Sequence, residues 1–351
     1  MNFKPDSLYS IALILLFQCS SSSANKEQSN NKVQTKETTF SAIKINGVSF
    51  VSPSKEINPE EINYPNEIVA ANYLSFMPYG FVAEGSTDLV FDSEWQWWGE
   101  KSEGITRMSE LAKIEGYKIM LKPHVWKRHG EFTGDHSHDN IEDWQAFEKT
   151  YEKYILHYAK LAESHQIALF CIGTEWEKFV LERSEFWFEL INKVRKVYSG
   201  KISYAANWDE YLKVPFWEKL DYIGVDAYFP LVKDEVASVK ALESALNPFK
   251  NQLEKLADSL QMQILFTEYG YRSRVNSAEK PWEADRNGKV NLQAQINGYT
   301  AFYNTFWKKS FIAGGFLWKW FPNHKEVGGS ENNGFTPQNK PVEKLIKKNS
   351  L

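Results

Sequence analysis

The chain is poor in cysteine, with two among its 351 residues, Cys19 and Cys171, so a disulfide framework is excluded. It also lacks an excess of charge of either sign. Against 45 Asp and Glu stand 41 Lys and Arg, a net charge of −4, and the basic residues do not gather into runs outside the closing KKNS. That excludes the basic footprint of a nucleic-acid binder. No Gly-rich phosphate loop follows the first strand-like run, NGVSFVSPSKE, which argues against an open nucleotide-binding sheet. The apolar segment YSIALILLF at 9–17 is too short to cross a bilayer. Aromatic residues, by contrast, are abundant: 13 Trp, 17 Tyr and 23 Phe, or 15% of the chain. Trp-rich WQWWGE at 95–100 suits either packing or a surface for flat apolar ligands such as sugar faces, and composition leaves both open.

Residues 1–18 read as a signal peptide that is not part of the fold. The apolar stretch ends in LFQC, which resembles a bacterial lipoprotein signal cleaved before a cysteine, here Cys19, that receives lipid. Gln18 is bulkier than the small residue usual at that place, and an ordinary secretory signal is the alternative. Residues 19–40 are Ser, Asn, Lys, Glu and Gln with few apolar side chains, so they read as a flexible tether. The expectation is a protein exported to the cell envelope and held at a membrane by lipid on Cys19, as a monomer. Cys171, inside an apolar run, reads as a small core residue.

From 41 to 351 the chain reads as one domain. Strand-like runs stand at 45–51, 72–78, 118–125, 167–173, 201–207, 221–228, 263–270 and 314–320. Helical stretches stand between them at 142–164, 182–198, 236–259 and 291–309, with VEKLIKK last. In the first, Trp144, Phe147, Tyr151, Tyr154, Ile155, Tyr158 and Leu161 recur three or four apart and make one apolar face. Apolar strands alternating with helices imply parallel strands covered on both sides. Eight such units predict a closed (β/α)8 barrel, a TIM barrel, whose working face is the carboxyl end of its strands.

Two strands carry an acid to that face. ALFCIGTEWEKF ends its apolar run at Glu175, and QILFTEYGY, much further along, ends at Glu268. Barrel closure would bring both to the rim. A pair of carboxyl groups flanking one linkage is what glycosidic cleavage needs: one protonated to help the leaving oxygen depart, one ionised to attack or to activate water. The segments FCIGTEWEKF, LDYIGVDAYFPL, ILFTEYGYRS and GGFLWKWFP together resemble glycoside hydrolase family 113, within the clan of retaining barrel glycosidases with acids on strands four and seven. The resemblance covers roughly 43–323. It implies endo-β-1,4-mannanase activity, with Glu175 as general acid/base and Glu268 as nucleophile. Thr174 stands where most of the clan has Asn, so that Asn's role on the sugar 2-hydroxyl does not carry over. The same mechanism on glucan, xylan or chitosan, or a glycan-binding lipoprotein without catalysis, are the alternatives.

Chemistry nominates further residues. Tyr228 could donate a hydrogen bond to the nucleophile or merely pack, and Lys122 and His124 could bond sugar hydroxyls or pair with a carboxylate. Asn207 could read hydroxyls, and Trp208 and Trp318 could stack on sugars. Asp226 ranks lower, because the strand register that would aim it inward is open. His129, Asp135, His136, His138 and Asp139 crowd the segment 127–139, yet their spacing fits no zinc pattern. The segment reads as a solvated loop, with no metal and no cofactor expected. Residues 322–341, rich in Gly and Asn, read as a rim loop.

Overall fold

A computed structural model describes residues 43–127, 131–283 and 287–351. Cys19, the signal and tether segments 1–40, and His129 therefore lie outside the described residues. Eight parallel strands close into a barrel: β1 (Ile45–Phe50), β2 (Tyr73–Phe76), β5 (Lys118–Leu121), β7 (Leu169–Thr174), β8 (Lys201–Asn207), β9 (Ile223–Asp226), β10 (Ile264–Tyr269) and β11 (Ile312–Trp320). Each pairs with its neighbours around the ring, and β11 returns to β1. The helices are α1 (Pro59–Val69), α2 (Ser102–Ile114), α3 (Ile141–Ser164), α4 (Glu177–Glu182), α5 (Ser184–Val197), α6 (Val239–Leu260), α7 (Leu292–Phe302) and α8 (Val342–Ser350).

Strand periodicity sorts the side chains into two cores. Val48, Leu74, Ile119, Phe170, Ile202 and Val225 face outward into the large cluster shared with the helices. Residues of the opposite parity, Ile45, Met120, Leu169, Leu265 and Phe316, fill the interior at the amino-terminal end of the strands. Further along the same inward rows the residues turn polar: Met120 is followed by Lys122, Leu169 by Cys171 and then Glu175, and Leu265 by Thr267. The barrel is thus plugged with apolar side chains at one end and lined with charge at the other. Gly224 is required by close strand approach, since a Cβ there would lie 2.0 Å from the Tyr204 carbonyl oxygen.

Helix α3 behaves as its spacing predicts. Trp144, Phe147, Tyr151, Tyr154, Ile155 and Tyr158 are all buried, and Asn140 caps the first turn by accepting from the Asp143 N–H at 2.8 Å. The stretch expected as helix over 291–309 is instead α7 followed by one wide π turn over Tyr303–Trp307.

Two expected strands end early, and a second strand follows each. The runs 72–78 and 118–125 leave the barrel at Phe76 and Leu121 and resume as β3 (Tyr79–Val82) and β6 (His124–Lys127). Each break holds a proline, Pro78 and Pro123, which has no N–H to give a ladder. Register survives the break: Phe76 pairs with Leu121 below it and Tyr79 with His124 above. With β4 (Leu89–Phe91) antiparallel to β3, these strands form a three-stranded sheet beyond the carboxyl ends of β2 and β5. His124 therefore opens a strand of this outer sheet rather than ending a barrel strand.

Candidate active site

Glu175 follows β7 directly and holds a left-handed backbone, φ 54°. For a residue other than Gly that conformation is uncommon and persists where neighbours hold it. Its N–H donates to the Ala205 carbonyl at 2.8 Å, tying the turn to β8. Glu268 lies within β10, and the ladder register between β9 and β10 shifts just before it, where it pairs with Asp226.

Around Glu268 the donors are dense. Lys122 is wholly buried and gives its ammonium hydrogens to Glu268 Oε1 at 2.5 Å and to both Asp226 oxygens at 3.2 Å. Tyr228 donates its hydroxyl to Glu268 Oε2 at 2.8 Å. Thr267 donates to Asp226 Oδ1 at 2.7 Å. Asp226 is thus turned inward, and it is the residue that sequence reasoning ranked too low. Its signal was available: it ends an apolar run two positions before Tyr228. The expectation that Lys122 reaches sugar hydroxyls is corrected, since the side chain has no exposed surface and spends its donors on carboxylates.

The electrostatics follow from burial. Burial is the largest influence on Lys122 and pulls it down, but the paired Asp226 and Glu268 charges outweigh it and raise the group, so it stays an ammonium. Burial and the Glu268 charge push the Tyr228 phenol well above its ordinary value, so it remains a donor. Burial and then the charge of Glu268 raise Asp226, against the pull of Lys122 and Thr267. The Glu175 carboxyl is held well above the usual carboxylate range by burial first, then by the charges of Asp226 and Glu268. His124 is held neutral by burial and by Lys122. Its Nε2 is buried without a hydrogen-bond partner, 3.6 Å from Glu268 Oε1.

Beside these groups opens a cleft lined by Val51, Tyr79, Trp97, Glu100, Trp126 and Trp318 among others. Tyr79 packs on His124 with ring centroids 5.4 Å apart, and Trp318 lies nearly parallel to His124 at 6.2 Å, so the cleft adjoins Glu268. Trp97 and Trp126 are more than half exposed. Of the Trp-rich 95–100 segment, then, Trp97 lines the cleft while Trp95 sits edge-on against Phe81 at 4.7 Å. Trp126 was missed because it lies past Pro123 in a strand too short to show alternation. Asn207 uses its side-chain oxygen on the Trp208 N–H at 2.8 Å, and Trp208 stacks on Trp282 at 5.3 Å. Thr174 Oγ1 is buried with no hydrogen-bond partner.

The segment read as a solvated loop is corrected in part. His136 is buried against Phe147, Trp144 and Trp176, and burial lowers it to about 3. Among the described residues no His, Cys, Asp and Glu group is arranged to hold a metal.

A TIM barrel with two glutamates at the carboxyl ends of its strands, one with its carboxyl raised by burial and neighbouring acids and one ringed by donors, defines the class of (β/α)8 glycoside hydrolases. Comparison with known proteins narrows the class. The sequence profile of Glycoside Hydrolase Family 113 matches residues 29–340, and the chain belongs to that family. A solved complex of a GH113 β-1,4-mannanase is similar at 25% identity and TM-score 0.77, over 88% of this chain and 99% of that one. The GH113 β-mannanase AaManA from Alicyclobacillus acidocaldarius, in complex with ManMIm, is similar at 24% identity and TM-score 0.77, over 89% and 98%. A β-glucuronidase from Ruminococcus gnavus shares the fold at 11% identity and TM-score 0.60, over 88% of this chain and 50% of that one. Among curated proteins nothing matches.

Proposed function

We propose that the protein is a retaining endo-β-1,4-mannanase working by double displacement. The observation that carries this reading is the opposed treatment of the two glutamates: burial and neighbouring charge hold Glu175 protonated, while Lys122 and Tyr228 grip both oxygens of Glu268. In the first step Glu268 attacks the anomeric carbon as Glu175 gives its proton to the departing glycosidic oxygen. The C–O bond breaks and a glycosyl-enzyme ester forms. Glu175, now a carboxylate, takes a proton from water as that water attacks the anomeric carbon and frees Glu268. The aromatic cleft supplies faces for neighbouring sugars.

Mannan is favoured because the solved family members of like structure are named β-mannanases. The test is digestion of β-1,4-mannan, glucan and xylan, reading product length by chromatography and anomeric configuration by proton NMR. The expected result is mannan cleaved internally, with the β-anomer appearing first. An α-anomer appearing first would overturn the double displacement, preferred cleavage of glucan or xylan the substrate, and binding without new reducing ends the enzyme.

We also propose that the protein is exported and anchored at the cell envelope by lipid on Cys19. Support comes from the LFQC segment and the polar stretch after it. Among the described residues no helix is long and apolar enough to cross a membrane. Radiolabelled palmitate should enter the wild-type chain and not Cys19→Ala; equal labelling would defeat the anchor.

A further inference from the structure

The left-handed turn at Glu175 is held from one side by β8. Besides the Glu175 N–H on Ala205, the Trp176 N–H donates to the Tyr204 hydroxyl oxygen at 2.7 Å. Tyr204 faces outward from the barrel, packed against Trp187 and Phe216, and only its hydroxyl reaches the turn. That hydroxyl donates in turn to Glu210 Oε1 at 2.5 Å. The other Glu210 oxygen accepts the Asn207 N–H at 3.0 Å. Trp176, Tyr204 and Glu210 are all buried, at 1%, 0% and 1% exposure. Among the described residues no cation pairs with Glu210, so its burial is compensated by a phenol and an amide alone. An acid kept at that cost where an apolar side chain could pack calls for a role beyond filling space.

We propose that Glu210 is a positioning residue for the acid/base, acting through Tyr204 on the turn that carries Glu175. This rests on the reading of Glu175 given above. The link has two effects. It fixes the donor direction of the Tyr204 hydroxyl, leaving that oxygen to accept from Trp176, and so pins the residue next to Glu175. It also places a second carboxyl near Glu175. The Glu210 charge adds to those of Asp226 and Glu268 in raising the Glu175 carboxyl, against the opposing charge of Lys122. Glu177, itself paired with Lys213, and Asp226 are the other acids that act on Glu210. Burial raises Glu210 to about 8 against its two hydrogen bonds, so its charge acts on Glu175 as pH approaches that value, while the hydrogen-bonded link to Tyr204 holds the turn throughout.

The test compares wild type with Glu210→Gln, Tyr204→Phe and the double variant. Two readouts are needed: carbon-13 NMR titration of the Glu175 carboxyl, and kcat/KM on aryl β-mannosides with good and poor leaving groups. Glu210→Gln should move the Glu175 titration to lower pH. It should cost about tenfold on poor leaving groups, a fraction of the 10²–10⁴ a positioned acid supplies, and spare dinitrophenyl mannosides, which need little proton assistance. Tyr204→Phe keeps the ring and cuts the same link, so the double variant should fall no further than the worse single one. It also serves alone should Glu210→Gln fail to fold. A Glu175 titration unmoved in both variants, or equal losses on good and poor leaving groups, would overturn the proposal. If wild type cleaves no mannoside, the substrate reading fails, and the titration still decides this one.

Discussion

Glu175 and Glu268 carry the same side chain to the same barrel mouth, and the two surroundings have little in common. Glu268 sits on the side of β5 and β9, where Lys122 and Tyr228 donate to both of its oxygens and Asp226 shares the ammonium. Glu175 sits after β7, where its own backbone is tied to β8 and the groups that act on its carboxyl are chiefly other acids. A donor-rich pocket favours a group that must be a carboxylate, and an acid-rich, desolvated one favours a group that must hold a proton. The difference is made by neighbours on adjacent strands, so breaking those neighbours one at a time separates the two roles.

The largest effect should come from the donor-rich side. Glu268→Ala is expected to lower kcat on the order of 10⁴-fold, since one essential group of a catalytic set removes most of its rate. Lys122 keeps its bonds to Asp226 in that variant, so the melting temperature should change far less than activity. Azide added to the variant should restore turnover and give product of inverted configuration. Undiminished activity would remove Glu268 from the nucleophile role. Lys122→Met acts on the same pocket through stability. It leaves Asp226 and Glu268 facing each other without their cation, and breaking such a buried set costs about 3–5 kcal/mol. Urea unfolding should show that loss; a midpoint close to wild type would mean that Lys122 does not hold the two carboxylates together.

How legible these two environments were in the sequence differs with range. All eight barrel strands stood out as apolar runs, because strands buried on both faces need apolar residues at nearly every position. The outer sheet did not, because β3, β4 and β6 have only four, three and four residues, too few to display alternation. Glu175 and Glu268 were readable as acids that end such runs. Asp226 was ranked low, and Tyr204 and Glu210 were not singled out, because their meaning lies in contacts across strands: Lys122 and Asp226 are 104 positions apart and still share hydrogen bonds. Tyr204 was hidden by parity, being an outward residue of β8 whose hydroxyl alone reaches the mouth.

A smaller effect should appear on the acid-rich side, in the pH profile. The first step needs Glu175 protonated, so activity falls as pH rises through its pKa, which burial and the Asp226 and Glu268 charges hold above the ordinary carboxylate range. Asp226→Asn removes the charge that ranks next after burial. The Glu175 pKa should then drop, and the alkaline limb of kcat/KM should move to lower pH. Fluorescence melting run alongside would register any loss from the Lys122 contact. An alkaline limb that stays in place in the folded variant would mean that Asp226 does not act on the acid.

The smallest effect should come from outside both pockets, on the outer sheet. Trp126 is more than half exposed on β6 and lines the cleft with Trp97 and Trp318, so the fold itself gains little from its ring. Stacked aromatic pairs contribute about 0.5–1.5 kcal/mol, and a sugar face on an indole is taken at that scale. Trp126→Ala should accordingly raise KM for a long oligosaccharide about two- to tenfold, with kcat nearly unchanged, because the contact is made equally in ground and transition states. A substrate too short to reach the outer sheet should be indifferent to the change. Should kcat fall instead, with KM constant, the ring would be acting on the glutamates through Tyr79 and His124, and the outer sheet would belong to the catalytic pocket.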